Sequence, residues 1–332
     1  MERYDRQIRV KEIGAFGQKK IRETTVLIVG VGAIGTYAAE MIVRMGFKRL
    51  VLIDRDFVEL SNLQRQTLFT EADAEARLPK AYAAALALKQ MNRDVVVDFV
   101  VDDANAESLA PFTDVNFVLD CTDNFGTRRF LNDWCREHEI PWIYTSCAGT
   151  YAGLMPIDSK ASACLTCLIG EMPQTNEASC DIIGVHGALI PIVAGAQVSL
   201  LIKMMLDENF TYNTFYQIDN WQFSLQKIAV LKLRTCPSCG EKKQEQRAFS
   251  SQPILLCGRD TVQFQLVESR QVDFDGIMKR LVREQLDVHR NDFLLYFDFE
   301  GYQLTVFKNG RVLVHGTDEL NTARKIYHHF FN

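Results

Sequence analysis

The 332-residue sequence has little excess charge: 37 Lys and Arg against 42 Asp and Glu leave −5 at pH 7. That balance supplies no broad basic surface, so nucleic acid is not an expected partner. Long apolar runs are missing as well. The longest, Gly187 to Leu201, is interrupted by Pro191 and Gln197 and is too short for a bilayer span, so no membrane contact is expected. The first residues, Met1-Glu2-Arg3-Tyr4-Asp5, are polar and mixed in charge, unlike a signal peptide, and a cytoplasmic location is expected. No internal repeat is visible. Nine cysteines do not form an even disulfide set, and four of them fall into two close pairs, Cys164/Cys167 and Cys236/Cys239. In a reducing compartment that spacing reads as metal binding.

What the sequence does have is alternation. Near-continuous apolar runs at Val26–Gly30, Arg49–Asp54, Val95–Val101, Phe117–Asp120 and Trp142–Ser146 read as parallel strands covered on both faces. Helical patterns lie between them at Ala33–Gly46, Pro79–Asn92 and Thr127–Glu139. The class expected is α/β, with a doubly wound Rossmann-like nucleotide-binding domain. Residues Cys164 to Cys180 lose periodicity and read as a mobile crossover loop, followed by a buried helix over Gly187–Leu206 and strands at Phe215–Asp219 and Lys227–Leu233. A polar linker at 241–251 separates a main domain at 1–240 from a small α+β domain at 252–332. In that second domain a strand at Val262–Val267, a helix at Phe274–Gln285, strands at Phe293–Phe299 and Gln303–Phe307 and a last helix from Thr317 are expected. Asn309-Gly310 marks a hairpin there.

The stretch "GVGAIG", Gly30 to Gly35, follows a strand and opens a helix. Gly30, Gly32 and Gly35 let the backbone turn tightly and bring helix N-terminal N–H groups to phosphate. Asp54 ends the second strand, placed to accept hydrogen bonds from ribose hydroxyls. These features suit either a nicotinamide cofactor that is kept or a triphosphate that is split. The next stretch, "DRDFVELSNLQRQTLF", separates them. Asn62, Arg65 and Lys80 add an amide, a planar fork and a point charge, more donors than an intact pyrophosphate needs. "LDCTDN", Leu119 to Asn124, ends a strand where ligands of such sheets sit, so Asp120 or Asp123 could hold Mg²⁺. Asp123 could instead cap the helix starting near Gly126.

"RYDRQIRV", "VGVGAIG", "LIDRDFVELSNLQRQ", "LDCTDN", the two Cys-x-x-Cys pairs and "CDIIGV" occur in this order over residues 1 to 240. Together they resemble the ThiF/MoeB/HesA family of adenylyltransferases, relatives of the ubiquitin-activating enzymes. The resemblance implies adenylation, by Mg²⁺ and ATP, of the C-terminal glycine of a ubiquitin-like sulfur-carrier protein ending in Gly-Gly. It implies that the glycine loop and Asp54 hold the adenosine end, and that Asn62, Arg65 and Lys80 face the triphosphate. Gln66 would support that loop, Asp123 would coordinate Mg²⁺, and Arg6 would reach the partner's nucleotide in a homodimer. Cys180 matches a cysteine that joins the carrier covalently in some members and is dispensable in others, and neighbouring Asp181 would raise its pKa.

Cys164, Cys167, Cys236 and Cys239 form two knuckles that can present four thiolates to structural Zn²⁺. Cys121, Cys135, Cys147 and Cys257 read as small apolar residues, and His186 as a structural histidine. The part after residue 248 resembles the C-terminal extension of longer bacterial ThiF-like chains. It favours a ThiS-like carrier and thiamine thiazole biosynthesis over a MoaD-like carrier. A nicotinamide-dependent dehydrogenase is the rival of another class; it leaves Arg65, Lys80, Asp123 and the knuckles without a common purpose.

Overall fold

The computed structural model describes residues 3–170, 183–241, 254–256, 260–266 and 272–331. The chain divides into two compact units, Met1–Gln244 and Glu245–Asn332.

In the first unit, helices α1 (Asp5–Ile8) and α2 (Gly14–Glu23) precede strand β1 (Thr25–Val29). There follow α3 (Ala33–Met45), β2 (Arg49–Ile53), α4 (Glu71–Glu75), α5 (Lys80–Met91) and β3 (Val96–Val100). Then come α6 (Ala106–Leu109), β4 (Phe117–Asp120), α7 (Phe125–Glu137), β5 (Trp142–Ala148) and β6 (Tyr151–Ile157). The unit closes with α8 (Leu165–Ile169), α9 (Leu189–Leu206), β7 (Thr214–Asp219) and β8 (Ser224–Ala229). The strands form one sheet in the order β3-β2-β1-β4-β5-β6-β7-β8. The first five are parallel and the last three antiparallel.

Every β1 residue is buried because helices cover both faces. Val26 and Ile28 point into one apolar cluster with Ile42 of α3, Leu88 of α5 and Leu201 of α9. Leu27 and Val29 point into the other, with Leu131 and Trp134 of α7 and Trp142 of β5. The order reverses beside β1, whose neighbours are β2 and β4. A crevice therefore opens at the carboxyl ends of β1 and β4, where the glycine stretch and "LDCTDN" begin.

Several expectations need correction. The sheet is mixed, and β6 was not foreseen; it pairs back on β5 through the Gly149-Thr150 turn. The strand placed at Lys227–Leu233 lies at Ser224–Ala229, because Ala229 already pairs with Thr214, the first residue of β7. The Cys164–Cys180 segment is not all loop: Leu165–Ile169 is helical, while 171–182, with Cys180, fall outside the described residues. Most of the expected linker, 242–251, and Cys257 also fall outside them. Pro191 and Gln197 do not interrupt an apolar helix. Pro191 is the third residue of α9, where a missing N–H costs no intrahelical bond. By length and composition alone α9 is long and apolar enough to cross a membrane. Here it packs on α3, β5 and β6, with Gln197 fully buried.

Among its described residues the second unit is an antiparallel sheet with two helices. Its elements are β9 (Ile254–Leu256), β10 (Thr261–Gln265), α10 (Phe274–Arg283), β11 (Val288–Arg290), β12 (Leu294–Phe299), β13 (Tyr302–Phe307), β14 (Arg311–His315) and α11 (Leu320–Phe331). The strand order is β11-β12-β13-β14-β10-β9. Gly310, at φ +86, makes the β13–β14 turn that the Asn309-Gly310 pair announces. One sheet face, including Val262, Phe297, Val306 and Val314, packs against Leu281, Ile326 and Phe330 of the helices.

Candidate active site and cysteine cluster

The glycine stretch is shaped by what lies behind it. Gly30 sits at φ +89, and a Cβ there would lie 2.6 Å from the carbonyl oxygen of Cys121, just past β4. A Cβ on Gly35 would lie 2.0 Å from the Gly30 carbonyl oxygen. Both positions need glycine for packing. Gly32 differs: the nearest atom to a Cβ is Gln66 Nε2 at 3.9 Å, so the space above it stays open. Gly32 is also the N-cap of α3 and offers no side-chain cap, which leaves first-turn N–H groups for an anion.

Asp54, just beyond β2, holds this turn. Its Oδ2 accepts from the Val31 N–H at 2.6 Å and its Oδ1 from the Asp56 N–H at 2.7 Å. Burial pushes the Asp54 carboxyl above its ordinary range; the Lys80 ammonium opposes that shift and the Asp56 carboxylate adds to it. Lys80 opens α5 and is only 4% exposed, so it is not a helix-surface lysine. Its Nζ lies 3.4 Å from Asp56 Oδ2. Pro79 is the N-cap before it, not the first helical residue, and pairs with Phe57 in an isolated bridge.

Asn62 ends a short 3₁₀ turn, Leu60–Asn62, and is buried; its Oδ1 accepts from the Glu59 N–H at 3.2 Å. Arg65 is half-buried, and one guanidinium nitrogen donates to the Ser61 carbonyl at 2.9 Å. Gln66 is buried with its Nε2 facing Gly32, and its buried Oε1 has no hydrogen-bond partner among the described residues.

At the end of β4 the two aspartates part company. Asp120 is fully buried and engaged by Thr122 and Arg128, which leaves it no room to face a ligand. Asp123 is exposed. It does not cap α7: Asn124 does, accepting from the Thr127 N–H at 2.8 Å. Burial alone would lower the pKa of Arg55, but the carboxylates of Asp103, Asp56 and Asp123 outweigh it and hold the guanidinium charged. Arg6 is exposed in the short α1. Within one chain, therefore, the glycine turn, Asp54, Lys80 and Gln66 are joined by direct or near contacts, and Asp123 is linked to them by charge through Arg55.

Asp56, Arg55, Arg128 and Gln197 were not singled out from sequence. Asp56 carried a usable signal, a second carboxylate two residues past Asp54. Arg128 carried none, since an arginine on an amphipathic helix reads as solvated until its burial is known.

Cys164, Cys167, Cys236 and Cys239 come together as foreseen. Their sulfurs all lie within 4.8 Å of one another, with separations of 3.6 Å for Cys164–Cys236 and 3.4 Å for Cys167–Cys239. Four sulfurs around one ion at about 2.3 Å would stand about 3.8 Å apart, so the cluster fits a tetrahedral metal. Gly240 shapes the second knuckle, because a Cβ there would lie 2.5 Å from the carbonyl oxygens of Arg234 and Cys236. Burial pushes the Cys239 thiol up to about 11 and Cys164 higher still. Cys121 and Cys135 are buried thiols raised by burial, and Cys121 lies 3.4 Å from Gln197 Oε1.

A doubly wound sheet with a glycine turn and a carboxylate at its switch point defines a nucleotide-binding α/β protein. Residues 4–239 match the model of the ThiF family. The chain belongs to that family and is an adenylyltransferase. It is 36% identical over 331 residues to a sulfur carrier protein ThiS adenylyltransferase of Bacillus subtilis (strain 168), covering 98% of each chain. It is 35% identical over 213 residues to a molybdopterin-synthase adenylyltransferase of Escherichia coli (strain K12), covering 62% of this chain and 82% of that one. A crystal structure of E. coli MccB with ATP superposes with a TM-score of 0.61 at 20% identity, covering 72% of this chain and 75% of that one, a likeness of fold.

Proposed function

We propose that this chain adenylates the C-terminal glycine carboxylate of a ubiquitin-like sulfur-carrier protein with ATP, releasing pyrophosphate. The carrier in this reading is ThiS-like and serves thiamine thiazole formation, with a MoaD-like carrier as the competing substrate. One observation carries the choice: the likeness to the ThiS adenylyltransferase runs through 98% of both chains, past the first unit.

The site supports the chemistry residue by residue. The open space above Gly32 and the uncapped N-terminus of α3 receive phosphate oxygens. Asp54 orients the glycine turn and faces the ribose. The buried Lys80 ammonium and the Arg65 fork, with the Asn62 amide, stabilise charge as it moves to the departing pyrophosphate. The carrier's carboxylate is already ionised, so the attack on the α-phosphate needs no general base, only alignment. Mg²⁺ at Asp123 would neutralise phosphate charge. Zn²⁺ held by the four cysteines would tie α8 to the segment after β8. Arg6, exposed on α1, acts across a homodimer interface in this reading.

The test is ATP–pyrophosphate exchange with purified ThiS-like and MoaD-like carriers, each with and without its final glycine. Exchange that requires Mg²⁺ and the intact Gly-Gly end of the ThiS-like carrier is expected. Preference for the MoaD-like carrier overturns the thiamine assignment. Absence of exchange with either carrier overturns the assignment of a sulfur-carrier substrate.

A further inference from the structure

Asp123 is an exposed carboxylate on a turn, yet its neighbours are fixed by a buried charge pair. The Asp120 and Arg128 side chains are 0% and 6% exposed, with Arg128 Nε 3.3 Å from Asp120 Oδ2. Between them they hold every polar group of Thr122. Its N–H donates to Asp120 Oδ1 at 2.9 Å and its hydroxyl to the same oxygen at 2.7 Å. Its carbonyl accepts from an Arg128 terminal nitrogen at 2.5 Å. The same nitrogen donates to the Thr145 carbonyl of β5 at 3.1 Å. The guanidinium also lies against the rings of Phe125 and Tyr144, at 5.6 and 5.3 Å from their centroids. From α9, Gln197 Nε2 donates to the Asp120 carbonyl at 3.0 Å and lies 2.8 Å from Thr145 Oγ1. On the other side of Asp123, Asn124 is locked as the cap of α7.

An ion pair buried this deeply is weak evidence for stability, because desolvation offsets most of its attraction. Its geometry has another use. We propose that the Asp120–Arg128 pair is a positioning device for the reaction: it fixes the Thr122–Asn124 turn so that Asp123 faces the phosphate end of the crevice in one orientation. Arg128 is a positioning residue and touches no reactant. The proposal rests on the reading of Asp123 as the metal-facing carboxylate. A planar fork is required, because one nitrogen must reach the carbonyls of Thr122 and Thr145 while Nε faces Asp120. Lysine supplies the charge without that fork.

The test compares wild type, Arg128→Lys and the charge-free double variant Asp120→Asn/Arg128→Gln, which leaves neither charge buried alone. Amide hydrogen exchange of residues 122–125, measured against the β1 and β2 amides, reads the turn directly. Manganese binding in the presence of a non-hydrolysable ATP analogue, followed by its paramagnetic signal, reads the site. In both variants the turn is expected to lose protection while β1 and β2 keep theirs. Manganese affinity and kcat should fall by about 10-fold to 100-fold, the scale of a lost outer-shell partner, with KM for ATP little changed. Unchanged protection of the turn overturns the proposal. So does lost protection with wild-type manganese affinity and kcat, since the turn's order would then serve nothing at the site. Wild-type manganese binding that Asp123→Ala fails to weaken refutes the assignment of Asp123, a result separate from the exchange data on the turn.

Discussion

Replacing Lys80 by methionine keeps the length of the side chain and removes its charge. The ammonium is 5% exposed and the Asp56 carboxylate 19%, at 3.4 Å. At an effective dielectric near 20 their gross attraction is about 5 kcal/mol, and desolvation of the ammonium offsets much of it. Removing one partner of a buried pair costs about 3–5 kcal/mol. Asp56 is not fully buried and Arg55 Nε lies 3.8 Å from its other oxygen, so the lower end applies, about 3 kcal/mol. In a unit of this size that lowers Tm by about 5–10 °C.

The loss should also depend on pH. Lys80 opposes the raised pKa of Asp54. Without it the folded-state pKa rises further above the unfolded value, so the proton is bound more tightly in the folded chain. The stability deficit is then smallest at low pH, where Asp54 is protonated in both states, and grows as pH rises through the folded-state pKa. Melts across a pH series should therefore diverge, with the larger deficit at its high-pH end. ATP–pyrophosphate exchange should fall by about 10²-fold to 10³-fold, the scale of one lost transition-state donor. The double variant Lys80→Met/Asp56→Asn separates the two effects. It should recover most of the Tm and none of the exchange rate. Recovery of both together would falsify the catalytic role, because Lys80 would then have acted only by neutralising Asp56.

Elemental analysis should find one zinc per chain; replacing Cys236 and Cys239 with serine should remove it and lower Tm, and acid should release it as the thiolates protonate. Metal-free protein of unchanged Tm would return these residues to the core. Gly35→Ala should disrupt the turn and the fold around it, since its Cβ would meet the Gly30 oxygen at 2.0 Å. Gly32→Ala should leave Tm within about 2–4 °C, as a half-buried glycine change of under about 1 kcal/mol in a unit of this size implies, yet raise KM for ATP at least about tenfold, the scale of ~1.4 kcal/mol of lost binding. Equal effects of the two on Tm would show that the space above Gly32 is not reserved for phosphate. Arg6→Ala and Asp123→Ala, inactive alone, should regain activity when mixed and allowed to exchange subunits, because one site of the heterodimer is then intact. No recovery after proven exchange would return Arg6 to its own chain.

What could be read in advance follows the range of the interactions involved. The strand β1, the glycine turn and the end of β2 depend on neighbours within a few residues or on a repeated apolar pattern, and they lie within a residue or so of where periodicity puts them. The cysteine pairs have 68 residues between them, but each half carries its own local signature. The antiparallel extension gave a weaker signal. β6 contains Gly153 and Pro156, residues that argue against a central strand, and only its pairing with β5 and β7 makes it one. The choice between Asp123 and Asn124 as the cap of α7 turns on a one-residue offset, below what composition resolves. Asp120 illustrates the limit best. In sequence it is as good a metal ligand as Asp123, because one ends the strand and the other follows three residues on. What removes it is Arg128, eight residues on and buried, together with Gln197, 77 residues on, whose amide grips the Asp120 backbone. Local chemistry proposes carboxylates for a site, and distant packing decides which of them is tied up in the interior and which stays exposed.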